Sequence, residues 1–190
     1  MDEPVEALAH LRLHNGTIWR WNRPLVGFSE NGRPHIRIEH RVVPSGPSPL
    51  DVVANAAFYF GLLHELMESE EEAERRLPFN RCKDNFYRAA YQGLEARVSW
   101  FDGQRGVLGD LCEQRLLPQA RSGLRRMGME KEEIDHWLGI VSARVLSRQT
   151  GARWQRRWVE EHGRDFPRLV QAYMIRQNSA GPVHGWDLGC

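Results

Sequence analysis

Cysteine is scarce in this chain. Only Cys82, Cys112 and Cys190 occur in 190 residues, odd in number, widely spaced and without a C-x-x-C step. Such spacing suggests neither a disulfide framework nor a zinc site, and a reducing, cytoplasmic setting is the expectation. An excess of one charge is also lacking. Lys and Arg number 26 against 25 Asp and Glu, for a net charge of +1. No overall field therefore draws in nucleic acid or an acidic membrane. No apolar run approaches the roughly 20 residues that span a bilayer. Met1-Asp2-Glu3-Pro4 has neither the basic nor the apolar region of a signal peptide. The expected partners are thus small molecules, with no nucleic acid and no membrane. G-x-S-x-G, P-loop, G-x-G-x-x-G and H-E-x-x-H patterns are missing as well, which removes the common hydrolase, Walker, Rossmann and zincin readings. His10 and His14 stand four apart, but Asn15-Gly16 is expected to end any helix there.

What is present is the balance of a soluble globular domain, 41% hydrophobic and 27% charged, in a chain long enough for a real core. Two strand candidates come first, Thr17 to Arg23 and His35 to Val43. Pro24 to Pro34 bridges them, with a turn signal at Ser29-Glu30-Asn31-Gly32 that favours antiparallel pairing. Pro44-Ser45-Gly46-Pro47 then punctuates the chain.

From Ser48 the pattern turns helical. Ser48 can cap a helix with Pro49 at its first position and Asp51 in its first turn. Val52, Val53, Ala56, Ala57, Phe60, Leu63 and Met67 recur at helical spacing and predict one broad buried stripe. Glu65 to Arg76 reads as an exposed helix end. Further helices are expected at about Cys82–Val98, Leu108–Met127, Lys131–Ser147, Ala152–Glu160 and Phe166–Gln177. The fold class is α+β, mostly helical, with a short antiparallel β-ribbon at the N-terminus. Residues 1–47 form the ribbon and residues 48–190 the helical region, both expected in one domain.

The chemistry-bearing candidates lie in the ribbon. Side chains in a strand alternate, so Ile36, Ile38 and Val42 share one face while Arg37, Glu39 and Arg41 share the other. A solvated strand face has this pattern. A metal–nucleotide site has it too, with the carboxylate on Mg²⁺ and guanidiniums on phosphate. On the first strand Trp19, Trp21 and Arg23 fall together, either as packing or as a ligand platform. If both strands turn the same way, Arg23, Arg37, Glu39 and Arg41 converge. In Arg153-Trp154-Gln155-Arg156-Arg157-Trp158, arginine beside tryptophan could stack on bases. The i, i+4 spacing of Trp154 and Trp158 points instead to core.

The stretches from Leu13 to Pro24 (LHNGTIWRWNRP) and from Pro34 to Arg41 (PHIRIEHR) resemble the glutamate–cysteine ligase / carboxylate–amine ligase family. So do Val53 to Leu62, Asn85 to Ala90, Thr150 to Trp154 and Pro182 to His184, in family order. The resemblance implies that the ribbon is part of a glutamine-synthetase-like sheet. It implies an activity that uses ATP (as substrate) and Mg²⁺ to phosphorylate a carboxylate, typically the γ-carboxyl of glutamate, for attack by an amine, typically that of cysteine. That is a ligase step of glutathione biosynthesis. By the same resemblance Glu39 would be the metal ligand, and Arg23 and Arg41 would face the reacting anion as catalytic groups, while Arg37 enters through the strand-face pattern, as a guanidinium that would hold nucleotide phosphate. The family's acidic metal strand and nucleotide strand have no counterpart here, so the chain is similar to the C-terminal part of such an enzyme. The expected partner is the missing acidic half or a second copy. The rival expectation is a noncatalytic helical interaction module derived from that fold.

Overall fold

Chain contacts divide the protein into two units, Met1–Ser45 and Gly46–Cys190. The computed structural model describes residues 9–17, 21–42, 46–68 and 73–189. The readings that rest on the amino-terminal tetrapeptide, on Trp19, on Val43 to Ser45 and on residues 69–72 lie outside them.

The first unit holds α1 (Ala9–Thr17), β1 (Asn22–Phe28) and β2 (Pro34–His40). Two expectations need correction. Asn15-Gly16 does not stop a helix, because α1 runs through both residues and places exposed His10 and His14 on it. The strand near Arg23 also starts later and runs further, so Leu25 to Phe28 belong to β1 rather than to a bridge. The turn itself falls where Asn31-Gly32 put it. Gly32 has φ of 76°, its N–H donates to the Ser29 carbonyl (2.8 Å), and the Ser29 N–H donates to the Arg33 carbonyl (2.9 Å). A positive φ costs glycine nothing.

Register explains how Pro24 fits inside a strand. β1 and β2 are antiparallel, with Arg23 opposite Glu39, Pro24 opposite Ile38, Leu25 opposite Arg37 and Gly27 opposite His35. The Arg41 N–H donates to the Trp21 carbonyl (3.0 Å). Alternation then makes 23/39 and 25/37 the hydrogen-bonded pairs and 24/38 a non-bonded one. The proline nitrogen faces the open edge, where no donor is needed.

The second unit is helical with one small hairpin. Its elements are α2 (Pro49–Met67), α3 (Ala73–Arg76), α4 (Phe79–Gln92), β3 (Arg97–Ser99), β4 (Arg105–Val107), α5 (Leu108–Leu111), α6 (Leu117–Arg126), α7 (Lys131–Ser147), α8 (Gly151–His162) and α9 (Phe166–Asn178). A π-turn over Cys112–Leu116 joins α5 to α6. Pro118 follows it and has no N–H to return to the preceding turn, a usual cause of such a bulge. The helix expected over Cys82–Val98 is shorter than that. Gly93, at φ of 61°, ends α4, and Val98 sits in β3, antiparallel to β4. Asn85 closes the hairpin edge by accepting from the Ser99 N–H (2.9 Å) and donating to the Ser99 carbonyl (2.5 Å). Three-residue strands carry too little periodicity to be read from sequence.

Side-chain caps set the helix starts. Ser48 accepts from the Asp51 N–H (3.3 Å), Thr150 from Arg153 (3.2 Å) and Asp165 from Arg168 (3.1 Å). One core cluster lies where α2, α6 and α7 meet, with Ala54, Ala120, Leu124, Ile134 and Leu138 fully or almost fully buried. Gly61 and Gly123 let α2 and α6 touch backbone to backbone, so a methyl group at Gly61 would lie 2.7 Å from the Leu124 Cγ. The second cluster gathers Trp154, Trp158, Leu169, Ala172, Val183 and Trp186. Trp154 and Trp158 are fully buried, as their spacing suggested, and offer no stacking surface.

Of the stripe expected to be buried on α2, Ala57 is buried as expected, and its large members are a correction. Val52, Val53, Phe60, Leu63 and Met67 are exposed, Met67 by 74%, while Asp51, Ala54, Ala57 and Gly61 point inward. Small residues won the inner face because a close helix crossing leaves no room for large ones. The charge-rich stretch after it is not uniformly exposed either. Glu65 is half-buried and pairs with Arg126 at 3.3 Å. Among the described residues no helix is long and apolar enough to cross a membrane.

Candidate functional site

The ribbon's polar face is built by alternation. Arg23 on β1 and Glu39 on β2 are cross-strand partners, and Arg41 follows Glu39 by two residues. Both arginines converge on one carboxylate oxygen. Arg23 donates to Glu39 Oε2 through Nε (2.9 Å) and Nη2 (2.7 Å), and Arg41 Nε lies 3.0 Å from that same oxygen. Arg23 Nη1 also reaches the Asn15 carbonyl of α1 at 3.4 Å. All three side chains are partly buried. The Arg41 guanidinium holds the Glu39 carboxyl below its ordinary value. Partial desolvation pulls it the other way, and Arg23 adds to the lowering.

Arg37 occupies the next position on this face, opposite Leu25, and has no ion pair among the described residues. With Arg23 it lines a shallow cavity of about 220 Å³, together with Asn15, Gly16, Pro24, Leu25 and Val26. Gly27 makes room beside it. A Cβ there would lie 2.6 Å from His35 Nε2 and 3.2 Å from Arg37 Nη2, so both side chains cross the strand where glycine leaves space. Three guanidiniums against one carboxylate leave this face positive. An anion with several oxygens suits it.

The opposite face is apolar and open. Ile36 is 73% exposed and Ile38 61%, so the isoleucines that alternate with the arginines are not the buried side of this hairpin. A two-stranded ribbon has too little depth to bury both faces. On the arginine face, Trp21, level with Arg41, is exposed as well. His40, beside Arg41, shares a 2.7 Å hydrogen bond with Asn22, and burial pushes its imidazole below the usual value.

Magnesium takes about six oxygen ligands. Glu39 offers one uncommitted oxygen flanked by two guanidiniums, and the described residues contain no group of three or more His, Cys, Asp or Glu able to hold a metal. By themselves these residues do not fit the ion. The carboxylate instead fixes the arginines in place.

Sequence reading singled out Arg23, Arg37, Glu39 and Arg41, and the structure puts them on one face. It missed Asn15 and Gly16, which reach the cavity only through tertiary folding of α1. It also missed His35, although period-two spacing from Arg37 was a visible signal. Compared with protein-family models, curated proteins and solved structures, the chain finds no match.

Proposed function

We propose that this chain supplies the anion-binding wall of an ATP- and magnesium-dependent carboxylate–amine ligase of the glutamate–cysteine ligase type. The observation that supports it is the guanidinium cluster around Glu39, beside a cavity lined by Arg37, which has no ion pair among the described residues. Phosphoryl transfer asks a protein chiefly for clamped geometry and positive charge where charge accumulates. On this reading Arg37 and Arg23 bind phosphate or acyl-phosphate oxygens. Arg41 shares the Glu39 carboxylate with Arg23, and Glu39 keeps both forks aimed. The acidic ligands that magnesium requires come from another segment or chain, so the resident residues do not catalyse alone.

Calorimetry of ATP with the isolated chain, with EDTA or with magnesium, tests the reading. Weak binding that does not need the metal is expected. Arg37→Ala should weaken it about 10- to 100-fold, the loss of one charge-assisted hydrogen-bond pair of ~1.5–3 kcal/mol. Tight binding that requires magnesium would contradict the incomplete-site argument, and unchanged binding by Arg37→Ala would remove the cavity from it.

A second reading, a noncatalytic helical interaction module, is favoured by the apolar outer face of α2. ATP binding that is absent under every condition would leave that reading standing.

A further inference from the structure

Beyond the cavity, towards the turn, the ribbon's charged face continues in one more cross-strand pair, Gly27 with His35. His35 and Arg37 stand two residues apart on β2 and so share that face. Both side chains fold over the glycine. The point where a Cβ would stand at Gly27 is 2.6 Å from His35 Nε2 and 3.2 Å from Arg37 Nη2, so the two nitrogen tips are neighbours. They are not each other's partners, because Arg37 has neither an ion pair nor a hydrogen bond among the described residues. The His35 ring is held by its other nitrogen, Nδ1, which shares a 3.4 Å hydrogen bond with the Ser29 hydroxyl. When that hydroxyl donates, Nε2 carries the ring's N–H beside the Arg37 guanidinium. No carboxylate answers the pair. Glu39 is committed to Arg23 and Arg41, and among the described residues exposed Glu30 and Arg33 of the turn form no ion pair or hydrogen bond with either side chain. Donors gathered in this way without an acceptor favour an anion between them.

We propose that Arg37 and His35 close jointly on one phosphoryl group, which makes the turn end of the ribbon the polyphosphate end of the site. This rests on the ligase reading and decides which reactant lies there, the nucleotide rather than the carboxylate to be activated. A carboxylate has two coplanar oxygens, and a single guanidinium fork satisfies both. The imidazole N–H would be left unanswered. A terminal phosphoryl group offers three acceptor oxygens in a tetrahedral array, enough for the fork and for a donor arriving from another direction. Arg23, Arg37 and His35 then let a polyphosphate run along the hairpin from the cavity to the turn. Protonation of His35 adds a second cation to the clamp, since imidazole is the side chain that ordinarily gains its charge between pH 8 and pH 5. Nucleotide affinity therefore rises on acidification through this residue.

Calorimetric titration of the full chain with pyrophosphate in EDTA, at pH 8 and at pH 6, is the test, with wild type and His35→Gln compared at each. Glutamine keeps an N–H donor and gives up the charge, and the ratio of the two affinities cancels the ligand's own titration. That ratio should be near one at pH 8 and about five- to tenfold in favour of wild type at pH 6, the difference between a neutral and a charged hydrogen bond. In the wild type, the NMR signal of the His35 ring should titrate at a higher pH once pyrophosphate is bound, a readout that needs no variant to fold. Glutamate in large excess should not displace the pyrophosphate. An equal ratio at both pH values, an unmoved ring titration, or displacement by glutamate overturns the clamp, while pyrophosphate binding itself keeps the ligase reading in place. Binding of neither pyrophosphate nor ATP at either pH overturns both.

Discussion

Removing Asp51 should cost more stability than any exposed ion pair in the molecule. Its side chain is fully buried at the first turn of α2. Oδ1 accepts from Arg144 Nη2 (2.6 Å), while Oδ2 accepts from the Ser48 hydroxyl (2.8 Å) and from the Val183 N–H (3.0 Å). Arg144 in turn donates to Asn55 Oδ1 at 2.5 Å. One carboxylate thus ties α2 to α7 and to the C-terminal segment. Asp51→Ala strands a largely buried guanidinium and a buried N–H, and breaking one side of a buried pair costs about 3–5 kcal/mol. A unit of this size loses about 2–4 °C per kcal/mol, so the thermal midpoint should fall by roughly 6–20 °C. Urea and thermal unfolding followed by tryptophan fluorescence at pH 7 provide the assay. Asp51→Asn, which keeps an acceptor but not the charge, should lose less. Adding Arg144→Met to Asp51→Ala should restore part of the loss, because the unpaired charge is gone. A loss under ~1 kcal/mol for Asp51→Ala, the scale of an ordinary surface change, would refute the view that this network holds the unit together.

Gly61→Ala should destabilise by about 2 kcal/mol or more, because its methyl would meet the Ala120 backbone and Leu124 across the α2–α6 crossing. Gly139→Ala on α7, with nothing within 4 Å of the new carbon, should instead stabilise by roughly 0.5–1 kcal/mol, and unfolding midpoints of the pair decide the point. Burial pushes the Cys112 thiol up to about 11, so iodoacetamide at pH 8 followed by mass mapping should modify exposed Cys82 and reach Cys112 only in denaturant. His184 sits beside Asp51 and Arg144, and burial lowers its imidazole below the ordinary value, with Asp51 opposing. The unfolded chain then takes up a proton first, so this contribution to stability is full above the unfolded value of about 6.5 and is lost as pH falls through the lowered folded-state value. The drop in denaturation midpoint between pH 7 and pH 5 should shrink in His184→Gln, and an identical drop would assign the effect elsewhere.

The helical region was legible wherever caps and breakers coincide. Ser48-Pro49 and Thr150-Gly151 start helices where a side chain can accept a backbone N–H, and Gly128 follows α6 at positive φ. The Lys131–Ser147 helix falls at its expected bounds. The β3–β4 hairpin was not legible, because three-residue strands are shorter than any period that could reveal them. Arg148 was not either. It closes α7 in the left-handed region at φ of 55°, held by Asp110 (2.5 Å) and the Leu94 carbonyl (3.2 Å), partners distant in sequence. Of the ribbon, alternation gave the shared face of Arg37, Glu39 and Arg41, and Asn31-Gly32 gave the turn. Nothing local said that Arg23 would stand opposite Glu39, since register is a property of two strands and not of one.

By itself the chain determined the period of its elements, their caps and turns, and which side chains share a face, because these follow from bonds within a few residues. Tertiary structure alone decided which face was covered. On α2 two apolar arcs competed for the interior, and the one with alanine and glycine won because α6 could approach it to backbone contact. On the ribbon the charged side became the sheltered one, since ion pairs across the register satisfied it where isoleucines found no depth. Burial is settled by what arrives from elsewhere in the chain, and no local pattern carries that information.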